Sequence, residues 1–96
     1  MQITLDVIGG KWKPVVLYNL QNKTMRFNEL CRAIPAITQK MLTQQLREME
    51  HDGLVKRKIY PEIPPRVEYS ITSYGKTLNP ILTSMTEWGK KHTQRR

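Results

Sequence analysis

Apolar residues recur along this chain with two periods, and the change between them marks out its elements. Between positions 38 and 52, Leu42, Leu46 and Met49 fall four and three residues apart, the spacing of one buried stripe on a helix. Gln39, Lys40, Thr43, Gln44 and Arg47 share the opposite side. Thr38 is placed to cap this helix and Gly53 to end it in the left-handed conformation, which predicts roughly 15 residues and about 22 Å. The acids Glu48, Glu50 and Asp52 gather at its end, where they oppose the helix dipole. The leading half is thereby left free to approach phosphates and base edges. On periodicity alone, a solvated surface accounts for the same polar face.

After Gly53 the period drops to two. Val55 and Ile59 alternate with Lys56 and Lys58, and Val67, Tyr69 and Ile71 alternate with Arg66, Glu68 and Ser70. This predicts a hairpin over 54–71 with a stiff tip, Pro61-Glu62-Ile63-Pro64-Pro65. Lys56, Arg57, Lys58 and Arg66 flank that tip, as cations of a wing that contacts a nucleic-acid backbone would.

Upstream, residues 1–8 predict a short helix whose apolar positions, Met1, Ile3, Leu5, Val7 and Ile8, are too many for one stripe and call for a second partner surface. Gly9-Gly10 ends it. A second helix is predicted over 11–20, with Pro14 tolerated in its first turn and Asn22 as a left-handed stop. Met25-Arg26-Phe27 reads as a very short strand, after which Asn28 caps a third helix through Ile34, with Phe27, Leu30, Cys31 and Ile34 on one side. Cys31 fits there as a small core residue, with a reactive thiol as the alternative. Pro35-Ala36-Ile37 then turns into the helix at Thr38, completing a helix-turn-helix over 28–52.

A final helix is predicted from a Thr72 cap to about Lys90, bent at Pro80, with Tyr74, Leu78, Ile81, Met85 and Trp88 spaced as a heptad seam. Core packing would explain such a seam, but so small a chain has little core to cover it. The expectation is therefore a homodimer in which segments 1–10 and 72–92 pack against their copies through Leu5, Leu78, Ile81, Met85 and Trp88. The tail 90–96 is expected to fray and to reach phosphate.

Composition narrows the function. With 96 residues and 39% apolar content the chain builds one small core, read as a single domain spanning 1–96. Sixteen Lys and Arg against eight Asp and Glu give +8, favouring a polyanionic partner: nucleic acid first, an anionic membrane surface second. No apolar run is long enough to span a bilayer and no signal-peptide layout is visible, so a cytoplasmic protein without membrane contact is expected. One cysteine rules out an internal disulfide and a cysteine-cluster zinc site, and His51 and His92 supply no metal set. No phosphate loop, catalytic triad or paired carboxylates are visible. The expectation is a non-enzyme with no cofactor and no metal.

Several blocks together carry a family resemblance: Leu5-Asp6-Val7-Ile8-Gly9-Gly10-Lys11-Trp12, Arg26-Phe27-Asn28-Glu29-Leu30, Leu42-Thr43-Gln44-Gln45-Leu46-Arg47, Asp52-Gly53-Leu54-Val55, Pro64-Pro65-Arg66-Val67-Glu68-Tyr69-Ser70 and Trp88-Gly89. In order and spacing they resemble the HxlR family of bacterial winged-helix regulators over nearly the whole chain. The resemblance implies a MarR-like dimer that binds an inverted repeat and represses or activates nearby genes. Several family members sense electrophiles, aldehydes or oxidants through a cysteine just before the first helix. That cysteine has no counterpart among these residues, and Cys31, on a different helix, does not inherit its role.

The expected fold is thus mainly α with a small β-hairpin, a winged helix-turn-helix dimerising through its terminal helices. The expected function is sequence-specific binding of double-stranded DNA as a homodimer, responsive to stress, a small molecule or an electrophile. Gln39, Thr43 and Gln44 are assigned to base edges, and Lys40 and Arg47 to phosphate or guanine without ranking. Thr38 is placed near a phosphate, with Arg57, Lys58, Arg66 and, more weakly, Arg26 on the backbone or minor groove. Tyr18, Trp12, Tyr74 and Trp88 are candidates for lining an effector pocket, with core packing as the alternative. Two rivals stand beside this reading: a non-specific architectural binder and a protein-interaction module that never meets nucleic acid.

Overall fold

The computed structural model describes residues 1–95, in which α1 (Gln2–Ile8), α2 (Lys13–Leu20), β1 (Met25–Arg26), α3 (Phe27–Ala33) and α4 (Gln39–His51) precede β2 (Val55–Tyr60) and β3 (Arg66–Ile71). A 3₁₀ turn (Gly75–Leu78) then leads into α5 (Asn79–Gln94). The strands form an antiparallel sheet in the order β1-β3-β2, so β3 is central. Its register pairs Val55 with Ile71, Arg57 with Tyr69 and Ile59 with Val67 on one face; Lys56 with Ser70, Lys58 with Glu68 and Tyr60 with Arg66 lie on the other. This is a winged helix-turn-helix, mainly α with a small sheet.

The core forms where the periodic stripes meet. Val16, Leu17 and Leu20 of α2, Leu30 of α3, and Leu42, Leu46 and Met49 of α4 are all fully or almost fully buried. Burying one such side chain contributes roughly 1.5–3 kcal/mol, so the α4 stripe alone resists any rolling of that helix. Thr38 caps α4, its hydroxyl oxygen accepting from the Met41 N–H at 3.1 Å. At the other end Gly53, at φ +77°, closes it: the Gly53 N–H donates to the Glu50 carbonyl and the Leu54 N–H to the Met49 carbonyl.

Four expectations are corrected. Phe27 begins α3 and does not end β1, and the cap is the extended Arg26 rather than Asn28; the Glu29 carboxylate accepts from the Arg26 N–H at 2.8 Å and fixes that start. Asn22 is not left-handed, because α2 ends at a right-handed Gln21, and no described non-glycine residue has positive φ. The continuous helix from Thr72 is two elements. Thr72 caps neither: its hydroxyl accepts from the Gly75 N–H at 2.9 Å, but the cap position of the 3₁₀ turn is Tyr74 and that of α5 is Leu78, and Pro80 sits in the first turn of α5, where its missing N–H costs little, rather than in mid-helix. Finally, the tail expected to fray is helical through Gln94; Arg96 lies outside the described residues.

Thr72 also ties this turn to the end of α4. Its hydroxyl donates to the Gly53 carbonyl at 2.6 Å and its N–H to the Leu54 carbonyl at 3.0 Å. Gly75 packs directly beneath: a Cβ there would run into the Leu54 carbonyl oxygen and lie 2.7 Å from Cγ1 of Ile71. Gly75→Ala is expected to lower unfolding free energy by about 1–3 kcal/mol in urea titrations, since neither the backbone carbonyl nor the buried Ile71 has room to yield.

Candidate nucleic-acid interface

The buried stripe of α4 turns its polar residues outward. Gln39, Lys40, Thr43, Gln44 and Arg47 line one open groove together with Glu48 and the ring of Phe27. Thr38 is exposed at the groove's start, where the first N–H groups of α4 emerge. All six α4-region residues expected to meet nucleic acid therefore share one surface. The Thr43 hydroxyl donates to the Gln39 carbonyl at 2.9 Å, so its polar atom is already satisfied within the helix.

Phe27 joins this groove to a second one. Arg26, Phe27 and Asn28 form one wall of that cleft, and Glu62, Pro64 and Arg66 at the wing tip form the other. Phe27 packs against the core on the side its spacing with Leu30 and Ile34 indicated, but the half-exposed part of its ring between helix and wing was not anticipated. Its only sequence signal is a lone phenylalanine at a strand-to-helix junction.

The wing cations, grouped together by sequence, fall into different surroundings. Arg57 faces α4, 3.8 Å from the Glu50 carboxylate. Arg66 is the most engaged, with Glu62 at 3.3 Å, Glu68 at 3.5 Å and the Tyr60 ring 4.0 Å away. Lys58 lies over the other contact of that ring at 4.9 Å and, among the described residues, has no carboxylate within ion-pair distance. Lys56 is exposed beside it on the same face.

Lys13, unremarked by sequence reasoning, is buried at 9% exposure, and its Nζ meets a Glu48 carboxylate oxygen at 2.8 Å. The pair joins the start of α2 to the polar face of α4. Hydrogen bonding from Lys13 and its charge hold the Glu48 carboxyl below its ordinary value, against an opposing effect of desolvation, with the Gln44 amide adding to the lowering. At the base of the wing, burial raises the Tyr69 phenol and the Glu50 carboxylate raises it further, while Arg57 and Arg47 oppose them. Tyr69 thus lies between charged groups of helix α4 and of the wing.

The residues expected at a subunit interface are mostly bare. Leu5, Ile81, Met85 and Trp88 are 53%, 42%, 50% and 67% exposed, whereas Leu78 is half-buried against the core. Apolar clefts flank α5, one against α1 through Ile3, Val7 and Ile81, the other against α2 through Val15, Tyr18 and Met85. The four aromatic residues considered for an effector pocket do not share one: Tyr18 and Tyr74 line these separate clefts, Trp88 stacks on His92 at 5.0 Å, and Lys11 covers Trp12. Among the described residues no group of three or more His, Cys, Asp or Glu side chains could hold a metal, and no helix is long and apolar enough to cross a membrane.

Residues 7–96 match the family model for HxlR-like helix-turn-helix proteins. The uncharacterised HTH-type transcriptional regulator YdeP of Bacillus subtilis (strain 168) is 50% identical over 95 residues, spanning 99% of this chain and 74% of YdeP. Among solved structures, the redox regulator HypR in its oxidized form is 54% identical at a TM-score of 0.91, covering 94% of this chain and 93% of its own. A MarR-family transcriptional regulator from Porphyromonas gingivalis W83 is 38% identical at a TM-score of 0.89, covering 93% and 87%.

The Lys13–Glu48 pair gives a pH test. Because the folded-state pKa of Glu48 is depressed, its contribution is complete above the unfolded carboxyl value and is lost as pH falls through the folded one. Glu48→Gln is expected to melt below the parent chain at neutral pH, and the gap should close as pH falls below the ordinary carboxyl range and the parent's carboxylate is itself neutralised. A gap independent of pH would mean that the substitution acts through packing instead.

Proposed function

The chain belongs to the family of HxlR-like helix-turn-helix transcriptional regulators, and on that premise we propose that it binds an inverted-repeat DNA operator as a homodimer, each subunit laying α4 in a major groove. The observation that carries this reading is the single groove shared by Gln39, Lys40, Thr43, Gln44 and Arg47, on a helix whose opposite face is locked in the core. Gln39 and Gln44 have carboxamides suited to adenine, and the Thr43 methyl can meet thymine because its hydroxyl is already used. Lys40 and Arg47 take phosphate or guanine, and Thr38 with the first turn of α4 meets a phosphate. In the wing, Lys58, with Lys56 beside it, has no carboxylate partner among the described residues and is the cation assigned to grip the backbone. Arg57 and Arg66, held by carboxylates, brace the tip and its junction with α4 and contribute to the field around it. Arg26, exposed beside Phe27, reaches the same strand of DNA from the cleft between wing and α3.

The bare apolar stripe of α5, with α1 beside it, supports the dimer. Several large side chains on these two helices are exposed to an extent that a monomer surface rarely gathers in one place. Pairing them with a second copy would set two α4 helices to read half-sites one helical turn apart, about 34–36 Å. In this reading the whole chain acts as one DNA-binding unit, without catalysis of its own. Its likeness to a redox regulator supports an output tuned by stress or by a metabolite.

Selection of bound sites from random duplex DNA at moderate salt tests the proposal directly. An inverted repeat with half-sites about one turn apart is expected; a pool without preference would favour architectural binding. On the selected site, Gln44→Ala should cost about 1–3 kcal/mol and much less on random DNA. Lys58→Ala should weaken both alike and reduce the slope of log K against log salt by about one unit.

A further inference from the structure

Away from α4 lies a polar cleft that the DNA-binding reading does not use. It opens between the end of α2, the base of β3 and the 3₁₀ turn, with Gln21, Asn22, Lys23, Thr24, Ser70 and Lys76 around it. Its volume of about 380 Å³ is that of a small-molecule site rather than of a single bound ion. The buried side chains of Leu20 and Ile71 form its floor, so its base is part of the core and does not depend on a mobile loop.

The charge of this cleft is one-sided. Two lysines face it, none of its lining residues is acidic, and among the described residues neither lysine has a carboxylate within 4.0 Å. The operator is not available to neutralise them. Ser70 lies four residues along β3 from Arg66 at the wing tip, about 13 Å away, at the end of the sheet remote from DNA in the proposed complex. The remaining groups are two carboxamides and two hydroxyls, each of which both donates and accepts hydrogen bonds. A compact ammonium suits a phosphoryl group, and carboxamides with hydroxyls suit a hydroxyl-bearing body.

We propose that this cleft binds a phosphorylated polyol, with Lys23 and Lys76 on the phosphoryl group and Gln21, Asn22, Thr24 and Ser70 on the hydroxyls. The site spans elements that the fold keeps in register. Gln21 already donates from Nε2 to the Asn79 carbonyl at 3.4 Å, holding the end of α2 to the start of α5, and Ser70 belongs to the strand shared by the whole wing. A ligand bridging Lys23 and Lys76 clamps the same junction and so biases how α5 sits relative to the wing.

The test is a titration of the ¹⁵N-labelled full chain, followed by amide chemical shifts, with glucose 6-phosphate, glucose and inorganic phosphate as probes. Glucose 6-phosphate is expected to shift residues 21–24, Ser70 and Lys76. The Lys23→Gln/Lys76→Gln double variant should weaken binding at least about tenfold, while Lys23→Arg/Lys76→Arg retains it. Both lysines are exposed, so the variants should melt with the parent chain. Shifts confined to residues 39–47, unchanged affinity in the glutamine variant, or no shift at about 10 mM ligand would overturn the proposal. Inorganic phosphate binding as tightly as glucose 6-phosphate would overturn its polyol half. No DNA is present in this titration, so its outcome is independent of the operator reading.

Discussion

The rotation of α4 about its own axis is the constraint on which the rest of this molecule depends. Leu42, Leu46 and Met49 have no exposed alternative: a turn of one residue, about 100°, would carry part of that stripe into water at a cost of several kcal/mol and bring Thr43 or Gln44 into an apolar core. Lys13 refines the same setting. A carboxylate on the half-exposed flank of α4 meets an ammonium almost wholly withdrawn from water, so the pair is satisfied at one azimuth of the helix. Partly exposed as it is, this ion pair adds less to stability than to orientation. Its position one turn beyond Gln44 means that what anchors the helix also touches its polar face.

The wing inherits its position from the end of that helix. Gly53 and Leu54 close α4 through the Glu50 and Met49 carbonyls, and the carbonyls of Gly53 and Leu54 then receive Thr72 from the far end of the hairpin. Three elements meet at two residues. Because Gly75 lies against the Leu54 carbonyl, the turn that starts α5 is pressed onto the same point. Helix, wing and terminal helix therefore cannot shift independently, and this linkage makes a distant cleft at the base of β3 relevant to the surface proposed to meet DNA.

What the sequence disclosed and what it concealed follow from how local each signal is. The α4 helix was legible because stripe, cap and terminal glycine agreed, and the hairpin because strict alternation flanked a proline-rich tip. The break before α5 was hidden for a specific reason. A 3₁₀ turn has 3.0 residues per turn against 3.6, so four residues of it displace the apparent seam of Tyr74, Leu78 and Ile81 too little for spacing to reveal, while Pro80 reads equally well as a kink or a start. Asn22 misled because a residue that tolerates the left-handed region need not occupy it. Phe27 and Lys13 were missed because their roles depend on neighbours distant in sequence: the wing tip for one, Glu48 for the other.

The same non-local pairing decides where the surplus of positive charge is felt. Glu48, Glu50, Glu62 and Glu68 are engaged with Lys13, Arg57 and Arg66, all within the helix–wing framework. Among the described residues Lys40 and Arg47 in the α4 groove, and Lys56 and Lys58 on the outer face of β2, have no carboxylate at ion-pair distance, and the same holds for Lys23 and Lys76 at the base of β3. A net charge of +8 spread evenly would attract any polyanion from any direction. Tying these four acids into the framework leaves the cations of the α4 groove and of the outer face of β2 uncompensated. Charge of this kind governs encounter and salt dependence for every sequence alike, while in the proposed complex the neutral glutamines and threonine between the cations are the groups suited to distinguish one base pair from another. Which cations of the helix and wing stay uncompensated is decided by where these carboxylates are tied down, which neither composition nor a count of basic residues discloses.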